Sequence, residues 1–167
     1  MNDRLTQEDI DKMQAEIDHR ILVVRPQLLS EVNEARAQGD LSENYEYKAA
    51  KQAKNQNERR IRYLEKMIRT AQIYKDNSAD DEVGINNRVT ILFEEDGEEE
   101  CYKIVTTVRA DSTNNLISIE SPLGKALMHH KAGDRVKVDV KPDYSYYVKI
   151  LKIENSKDES DDRISSY

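Results

Sequence analysis

Two carboxylates, Asp40 and Glu43, stand three residues apart in the segment Gly39-Asp-Leu-Ser-Glu-Asn44, directly before a stretch with helical periodicity. At the start of a helix this spacing lets both side chains converge on one point, as a hard divalent cation such as Mg²⁺ requires. Two side chains cannot complete the coordination shell of such an ion, so its other ligands must come from elsewhere. The pair therefore predicts that this chain donates residues to the active site of another protein, and that it is not a self-contained enzyme.

The same pair has a second interpretation. An Asp followed three residues later by a Glu forms a capping box, which stabilises the following helix by roughly 1 kcal/mol per cap and does nothing more. Spacing alone leaves capping and metal binding both open, and the two roles are compatible.

A strongly basic stretch follows the acidic segment. Residues 47–75 carry nine basic side chains against Glu58 and Glu65, so salt bridges within the helix cannot be their main purpose. Such a face is either a solvated helix exterior or a surface that follows the backbone of RNA. Under the second interpretation, the candidate RNA contacts are Lys48, Lys51, Lys54, Arg59 and Arg60.

Apolar residues at steps of three or four predict two long helices. The first runs over about 6–37, with Thr6 as its N-cap, and Pro26 should kink or reset it without ending it. The second has a coiled-coil seam from Tyr47 to Ala71. Because only a few residues around Gly39 join the two helices, they must be antiparallel, and alanines make the seam thin near the turn.

Beyond Asp76 the apolar residues follow a period of two, which predicts strands. Five short strands should form an antiparallel sheet, covered by one helix at Leu123–His129. The fold class is therefore α+β, with an N-terminal antiparallel α-helical coiled-coil hairpin and a C-terminal antiparallel β-sheet domain that carries one short helix. The expected strands are 88–93, 101–106, 116–119, 135–140 and 146–153.

These patterns also predict where the domains begin and end. The hairpin is assigned to residues 1–75, with its acidic tip at 39–46. Residues 76–82 are assigned to a linker and residues 83–154 to the sheet domain. The polar and acidic tail, residues 155–167, is expected to be disordered.

Composition argues against several classes of protein. The net charge of −7 divides into +1 over residues 1–75 and −8 over residues 76–167, which does not suit a general nucleic-acid coat. Cys101 is the only cysteine, so neither an internal disulfide nor a cysteine-based zinc site is expected. With no signal peptide and no apolar run near the ~18 residues of a membrane span, the chain is expected to be cytoplasmic and without membrane contact.

The residues around the acidic pair, Ala35-Arg-Ala-Gln-Gly-Asp-Leu-Ser-Glu-Asn-Tyr-Glu-Tyr-Lys-Ala-Ala-Lys51, resemble the tip signature of the GreA/GreB transcription elongation factors. Arg25-Pro26, the segment 60–65 and the segment 117–127 also resemble this family. The resemblance covers roughly residues 5–153, with matches in both halves of the chain in the expected order.

The resemblance implies a partner and a way of binding it. The hairpin would enter the secondary channel of bacterial RNA polymerase, and an FKBP-like C-terminal domain would dock at the outer rim of that channel. The residues that match the docking loop are Glu120, Ser121 and Pro122. The factor is expected to be a monomer when it is free.

The resemblance also implies a mechanism. Asp40 and Glu43 would help to hold a Mg²⁺ ion shared with the polymerase, and Ser42 and Asn44 would orient the tip beside the nascent RNA 3′ end. The factor would not be an enzyme. It would stimulate the polymerase's own cleavage of backtracked RNA, rescue arrested complexes, and bind no Mg²⁺ tightly when alone.

Three alternatives stay open at this point. Tyr45, where the family commonly has alanine, is compatible with a Gre-like factor that occupies the channel and inhibits the polymerase with little cleavage. A coiled-coil chaperone would need apolar residues at the tip, which is acidic instead. A stand-alone metallonuclease would need more acids than these two to hold two metal ions.

Overall fold

The computed structural model describes residues 3–39, 44–155 and 163–164. The chain separates into two compact units, one that contains Gln7–Gln72 and one that contains Arg4–Thr6 and the chain from Ile73 onward. The α+β class predicted from the sequence is confirmed. The predicted tail lies outside the described residues, apart from positions 155, 163 and 164.

The first unit is a hairpin of long helices. Its first arm comprises α1 (Gln7–His19), a π-helical turn (Arg20–Val24) and α2 (Arg25–Arg36), and its second arm is α3 (Tyr45–Thr70). Helix α1 begins directly after Thr6, where the N-cap was predicted. Two short strands, β1 (Arg4–Leu5) and β2 (Gln72–Ile73), pair with each other in a separate two-stranded sheet.

The helix continues through Pro26, as the sequence predicted, and the π-helical turn shows how. Proline lacks an N–H group, and its ring collides with the carbonyl four residues earlier in a regular α-helix. Here the backbone N–H of Arg25 donates to the carbonyl of Arg20, five residues back, so the helix is already widened when Pro26 is reached. Leu22, within this turn, is 73% exposed. No sequence pattern had indicated this turn.

The apolar stripes of both arms face each other. Met13 and Ile17 of the first arm are buried, as are Ile61 and Leu64 of the second. Toward the turn the buried residues are Val32 and the small Ala35. The seam thus changes from large to small side chains along the hairpin, as the sequence predicted.

The second unit contains a five-stranded sheet with the order β5-β4-β3-β7-β6. Its elements are β3 (Arg88–Phe93), β4 (Glu99–Val105), β5 (Leu116–Ser118), α4 (Pro122–Leu127), β6 (Arg135–Lys141) and β7 (Tyr144–Glu154). Alternate residues of the central strands are buried, among them Val89, Ile91, Val148 and Ile150. Leu127 of α4 is also fully buried in this core.

One part of the predicted sheet was wrong. Strand β5 runs parallel to β4, with Ile104 opposite Ile117, whereas every strand had been expected to be antiparallel. Between these strands the chain makes 3₁₀ turns at Thr107–Arg109 and Ser112–Asn114. These turns bring the chain back, so that β5 enters the sheet in the direction of β4. A period of two identifies a strand but carries no information on its direction.

Candidate functional site

The connection between the two arms of the hairpin begins at Gly39. The last turn of α2 is closed by Ala37, whose backbone N–H donates to Asn33 O at 3.2 Å. Gly39 follows with a φ of +131°, a conformation that side chains with a Cβ rarely adopt. Asp40, Ser42 and Glu43, three of the predicted catalytic residues, lie outside the described residues.

Asn44 closes the connection on its other side. Its side-chain oxygen accepts a hydrogen bond from the backbone N–H of Tyr47 at 3.0 Å and so caps α3. Its side-chain nitrogen donates to the carbonyl oxygen of Ala35 at 2.6 Å. One amide group therefore caps the second arm and ties it to the first. We call this pair of hydrogen bonds the Asn44 clasp.

The clasp bears directly on the capping interpretation of the acidic pair. Asn44 has an extended backbone and occupies the N-cap position of α3, which begins at Tyr45. The capping alternative assigned this task to Asp40, and for α3 that assignment was wrong. The N-cap of α3 is the side chain of Asn44.

Aromatic and basic side chains flank the connection. The Arg36 guanidinium donates to the Tyr47 hydroxyl at 3.5 Å and lies 5.6 Å from the centre of its ring. This hydrogen bond lowers the pKa of Tyr47, and the charges of Lys51 and Arg36 add to the effect. Tyr45 is 80% exposed, and the Lys48 ammonium lies 5.6 Å from its ring centre.

The small seam residues leave an open groove beside the turn. It has a volume of about 420 Å³, and its lining combines alanines with acidic and amide side chains. The lining residues are Glu31, Glu34, Ala35, Gln38, Glu46, Ala49, Ala50 and Ala53. Within the described ranges, which exclude Asp40 and Glu43, no group of three His, Cys, Asp or Glu side chains is arranged to hold a metal ion.

The predicted RNA contacts separate into two groups. Lys48, Lys51 and Arg59 are exposed on α3, and Lys54 is half-buried. Arg60 is only 7% exposed, so its assignment as a surface contact was wrong. Its guanidinium binds both carboxylate oxygens of Glu16, at 2.7 and 3.2 Å, and is thereby committed to joining the two arms.

Arg60 belongs to a polar network that was not predicted from the sequence. Glu16 also accepts from Arg20 at 2.9 Å, and Arg20 donates to the buried Asn57 at 3.0 Å. Arg25 forms a second bidentate pair across the arms, with Glu58 at 2.7 and 2.9 Å. The position of Arg60 in the sequence was the available signal for this network. Arg60 directly precedes the seam residue Ile61, and positions that flank a coiled-coil seam commonly form ion pairs between helices.

The predicted docking loop is held in a defined conformation within the second unit. Ser121 caps α4 by accepting from the Gly124 N–H at 3.0 Å, and its hydroxyl donates to Ser118 O at 2.7 Å. Pro122 occupies the first turn of α4 and is exposed. Glu120 is exposed, with Arg4 at 3.5 Å and Lys125 at 3.8 Å.

Comparison with known proteins connects both units to one family. Residues 4–73 match the family described as transcription elongation factor, N-terminal, and residues 77–155 match the family described as transcription elongation factor, GreA/GreB, C-term. The chain belongs to the GreA/GreB family of transcription elongation factors. Relatives within this family match nearly the whole chain and nearly their own whole length.

Transcription elongation factor GreA of Oenococcus oeni is 39% identical over 154 residues, which are 92% of this chain and 95% of that protein. GreA of Mycoplasmopsis pulmonis is 44% identical over 149 residues, which are 89% of this chain and 93% of that protein. Among solved structures, GreA factor homolog 1 of Thermus thermophilus aligns with a TM-score of 0.42 and 24% identity, over 92% of this chain and 99% of that one.

The GreA relatives favour the elongation-factor interpretation of this chain over a channel-binding inhibitor. In the part of the chain that the structure describes, no helix has the length and apolar character needed to cross a membrane.

Proposed function

We propose that this GreA/GreB family member binds bacterial RNA polymerase through its secondary channel and stimulates the polymerase's own cleavage of backtracked RNA. Asp40 and Glu43 are the groups donated to the polymerase active site. The observation that carries the proposal is the Asn44 clasp, which caps α3 and joins both arms without using either acid. The N-cap position of α3 is therefore taken by Asn44 and does not require either acid.

The donor set fits a shared magnesium ion. Carboxylate oxygens are the ligands that Mg²⁺ prefers, and this ion is usually bound by one or two carboxylates with the remaining positions filled by water or substrate. Asp40 and Glu43 would hold it together with groups of the polymerase. When bound, the ion supplies activation of the attacking water and charge neutralisation at the phosphodiester.

The exposed basic side chains of α3 would guide the RNA. Lys48 and Lys51 lie within the first two turns of α3, nearest the acidic tip, and Arg59 lies farther along the same helix. Ammonium and guanidinium groups attract RNA phosphates irrespective of sequence, as a factor that acts at any arrest site requires. Arg60 has no part in this surface because it is paired with Glu16.

The loop Glu120–Pro122 is the proposed contact with the polymerase rim. Its backbone is set by the Ser121 cap and by Gly124, where a Cβ atom would overlap the carbonyl oxygen of Ser118. A preformed loop loses little conformational entropy on binding, so its contacts contribute more fully to affinity.

The test is transcript cleavage in stalled, backtracked complexes of purified bacterial RNA polymerase with radiolabelled RNA. Wild-type protein should release short 3′ fragments, and the double variant Asp40→Ala/Glu43→Ala should release none above the polymerase's own rate. Glu46→Gln is the matched control, because this acid lies in the first turn of α3 and should not reach the reacting phosphate.

Binding must be measured beside cleavage. The inactive double variant should still compete with wild-type protein for the polymerase, which separates lost chemistry from lost docking. Wild-type protein that releases no fragments and slows nucleotide addition would be a channel-binding inhibitor, and the proposal would fail. Cutting of RNA by this protein and Mg²⁺ alone would contradict the shared site.

A further inference from the structure

A small aromatic pocket lies at one end of the sheet in the second unit. It has a volume of about 140 Å³, well above the roughly 10–15 Å³ that a single water needs. Aromatic rings and two carboxylates line it together. The lining residues are Phe93, Glu95, Asp96, Tyr144, Tyr146 and Tyr147.

The rings lie next to one another and form an aromatic surface that runs from the core of the second unit to the solvent. The ring centres of Phe93 and Tyr146 are 5.9 Å apart, and those of Tyr146 and Tyr144 are 6.3 Å apart. Phe93 and Tyr146 pack against the core, while Tyr144 is 48% exposed. Burial raises the pKa of Tyr146, with nearby Glu95 adding to the effect, so this ring is a neutral phenol at physiological pH.

The pocket has a strongly negative rim. Six of the seven residues from 94 to 100, which form the turn between β3 and β4 and the first two positions of β4, are acidic. Glu94 is paired with Arg135, but Glu95 and Asp96 form no ion pair with any basic side chain in the described ranges. Asp96 keeps its place by accepting from the Glu98 N–H at 2.9 Å. A positively charged occupant would therefore be attracted and a phosphate group repelled.

Beside the pocket, the guanidinium of Arg135 is already bound by an aromatic ring and a carboxylate. Arg135 lies 3.7 Å from the ring centre of Tyr147 and donates to both carboxylate oxygens of Glu94, at 2.7 and 2.9 Å. A planar guanidinium can stack on a ring and form a bidentate pair at the same time, which an ammonium cannot. The pocket offers the same two components again, as the Tyr144 and Tyr146 rings and the Glu95 and Asp96 carboxylates.

We propose that this pocket binds an arginine side chain of a partner protein, with the guanidinium stacked on Tyr144 and paired with Glu95. The site is distinct from the loop Glu120–Pro122. Strand β3 starts at Arg88, which pairs with Lys103 beside Leu116 of β5. Phe93 lies five residues farther along β3, about 17 Å toward the opposite end of the sheet.

The test is a titration of full-length, ¹⁵N-labelled protein with a short Gly/Ser peptide that carries one arginine, followed by two-dimensional NMR. Saturable shifts are expected at the backbone amides of 93–96 and 144–147. The same peptide with citrulline, which is neutral and nearly isosteric, should bind much more weakly, and a lysine peptide should lie between the two.

Two variants and two controls locate the binding. Tyr144→Ala and Glu95→Gln should each weaken arginine-peptide binding about two- to fivefold, the effect of losing an exposed cation–π contact or one charge partner. Glu99→Gln removes an acid at the start of β4 that does not line the pocket, and Tyr45→Ala removes an exposed tyrosine of the other unit. Both controls should bind like wild type.

Several results would overturn the proposal. These are equal binding of the arginine and citrulline peptides, shifts outside the pocket amides, or unchanged affinity in both variants. Tighter binding of a single-stranded RNA of similar length at the same amides would also do so, because it would make the rings a base-stacking surface. None of these outcomes depends on transcript cleavage, so the proposed function is tested separately.

Discussion

At the scale of single residues, Asn44 has the largest role among the described residues near the tip. Its oxygen and nitrogen atoms serve different helices, which makes the two halves of the clasp separable by substitution. The cap oxygen stabilises α3 itself. The nitrogen, through Ala35, fixes the distance between the two arms where the acidic segment begins and ends.

Asn44→Ala should therefore lower the free energy of unfolding by about 2 kcal/mol, roughly 1 for the cap and 1 for the second hydrogen bond. Asn44→Asp keeps a capping oxygen but places a carboxylate against the Ala35 carbonyl. It should keep the contribution of the cap, roughly 1 kcal/mol, but lose the hydrogen bond to Ala35 and with it cleavage activity. Urea unfolding followed by circular dichroism, beside the cleavage assay, measures both effects. Equal activity of Asn44→Asp and wild type would show that the arms need no clasp.

Glu16 and Arg60 give the hairpin a dependence on pH. Burial of Glu16 works to raise its pKa, but hydrogen bonds from Arg60 and Arg20 outweigh it and hold the pKa below the usual 4.5. A carboxyl with a lowered folded-state pKa stabilises the fold above its unfolded pKa, and this stability is lost as the pH falls through the folded value. The contribution of Glu16 should thus be complete at neutral pH and decline below about 4.5.

Glu16→Gln should lower stability at pH 7 by about 2–3 kcal/mol, less than for a fully buried pair because Glu16 keeps some solvent contact. The difference from wild type should shrink as the pH is lowered through the acidic range. Urea unfolding at a series of pH values measures it. Glu65→Gln, an exposed acid on the same hairpin, is the control and should show a small difference at every pH. A constant gap for Glu16→Gln would contradict the assignment.

At the scale of elements, the π-helical turn explains how the first arm tolerates Pro26. Deleting Leu22, an exposed residue of this turn, would force a regular α-helical turn against the proline ring. The deletion should cost up to about 3 kcal/mol in the presence of Pro26 and clearly less in a Pro26→Ala background.

A double-mutant cycle of the Leu22 deletion and Pro26→Ala measures this coupling through urea unfolding. Deleting one residue elsewhere in the first arm would shift the apolar stripe whichever residue occupies position 26, and so serves as the comparison. If the cost of deleting Leu22 is the same in both backgrounds, the π-helical turn has a cause other than the proline.

The sequence predicted the elements that depend on a local pattern, and it did not predict features that depend on how two elements are arranged. The stripe through Met13, Ile17, Ile61 and Leu64 is a local period, and the structure has it as predicted. The pairing of Arg60 with Glu16 depends on the rotation of two helices about their axes, which a pattern in one helix does not contain. The parallel direction of β5 depends on the turns between β4 and β5, and the period of two within β5 does not contain this information either.

The candidate site was predictable only in part. Periodicity placed the acidic pair between two helices, but Asn44 became recognisable as the cap only once the start of α3 was known. The aromatic pocket could not be predicted, because Phe93 and Tyr146 are separated by half of the second unit in sequence. They meet only through the pairing of β3 with β7.

At the scale of the whole molecule, each of the two units has buried apolar residues of its own. The core of the second unit is built from its strands and α4, and the buried seam of the first lies between the hairpin arms. The charge is divided in the same way, with a net charge of +1 over residues 1–75 and −8 over residues 76–167. Packing and charge thus follow the same division of the chain.

This division predicts which unit loses stability when a residue in either unit is substituted. In Gly124→Ala the added Cβ would overlap the Ser118 carbonyl oxygen and destabilise the second unit by about 3 kcal/mol. Amide hydrogen exchange should then lose protection mainly in β3 to β7, whereas Arg60→Ala should lose it mainly in α1 to α3. Lys125→Ala, an exposed neighbour of Gly124, is the control. Equal loss of protection in both units for either variant would show that they unfold together.

The Asn44 clasp also has an evolutionary consequence. Because Asn44 caps α3 and binds the carbonyl of Ala35, substitutions between Gly39 and Asn44 are expected to leave this connection between the arms intact. Selection can therefore act on the chemistry of the connection independently of the two helical arms. A duplicated copy of such a chain could therefore acquire a different activity through a handful of substitutions in one short segment, while the hairpin kept its fold.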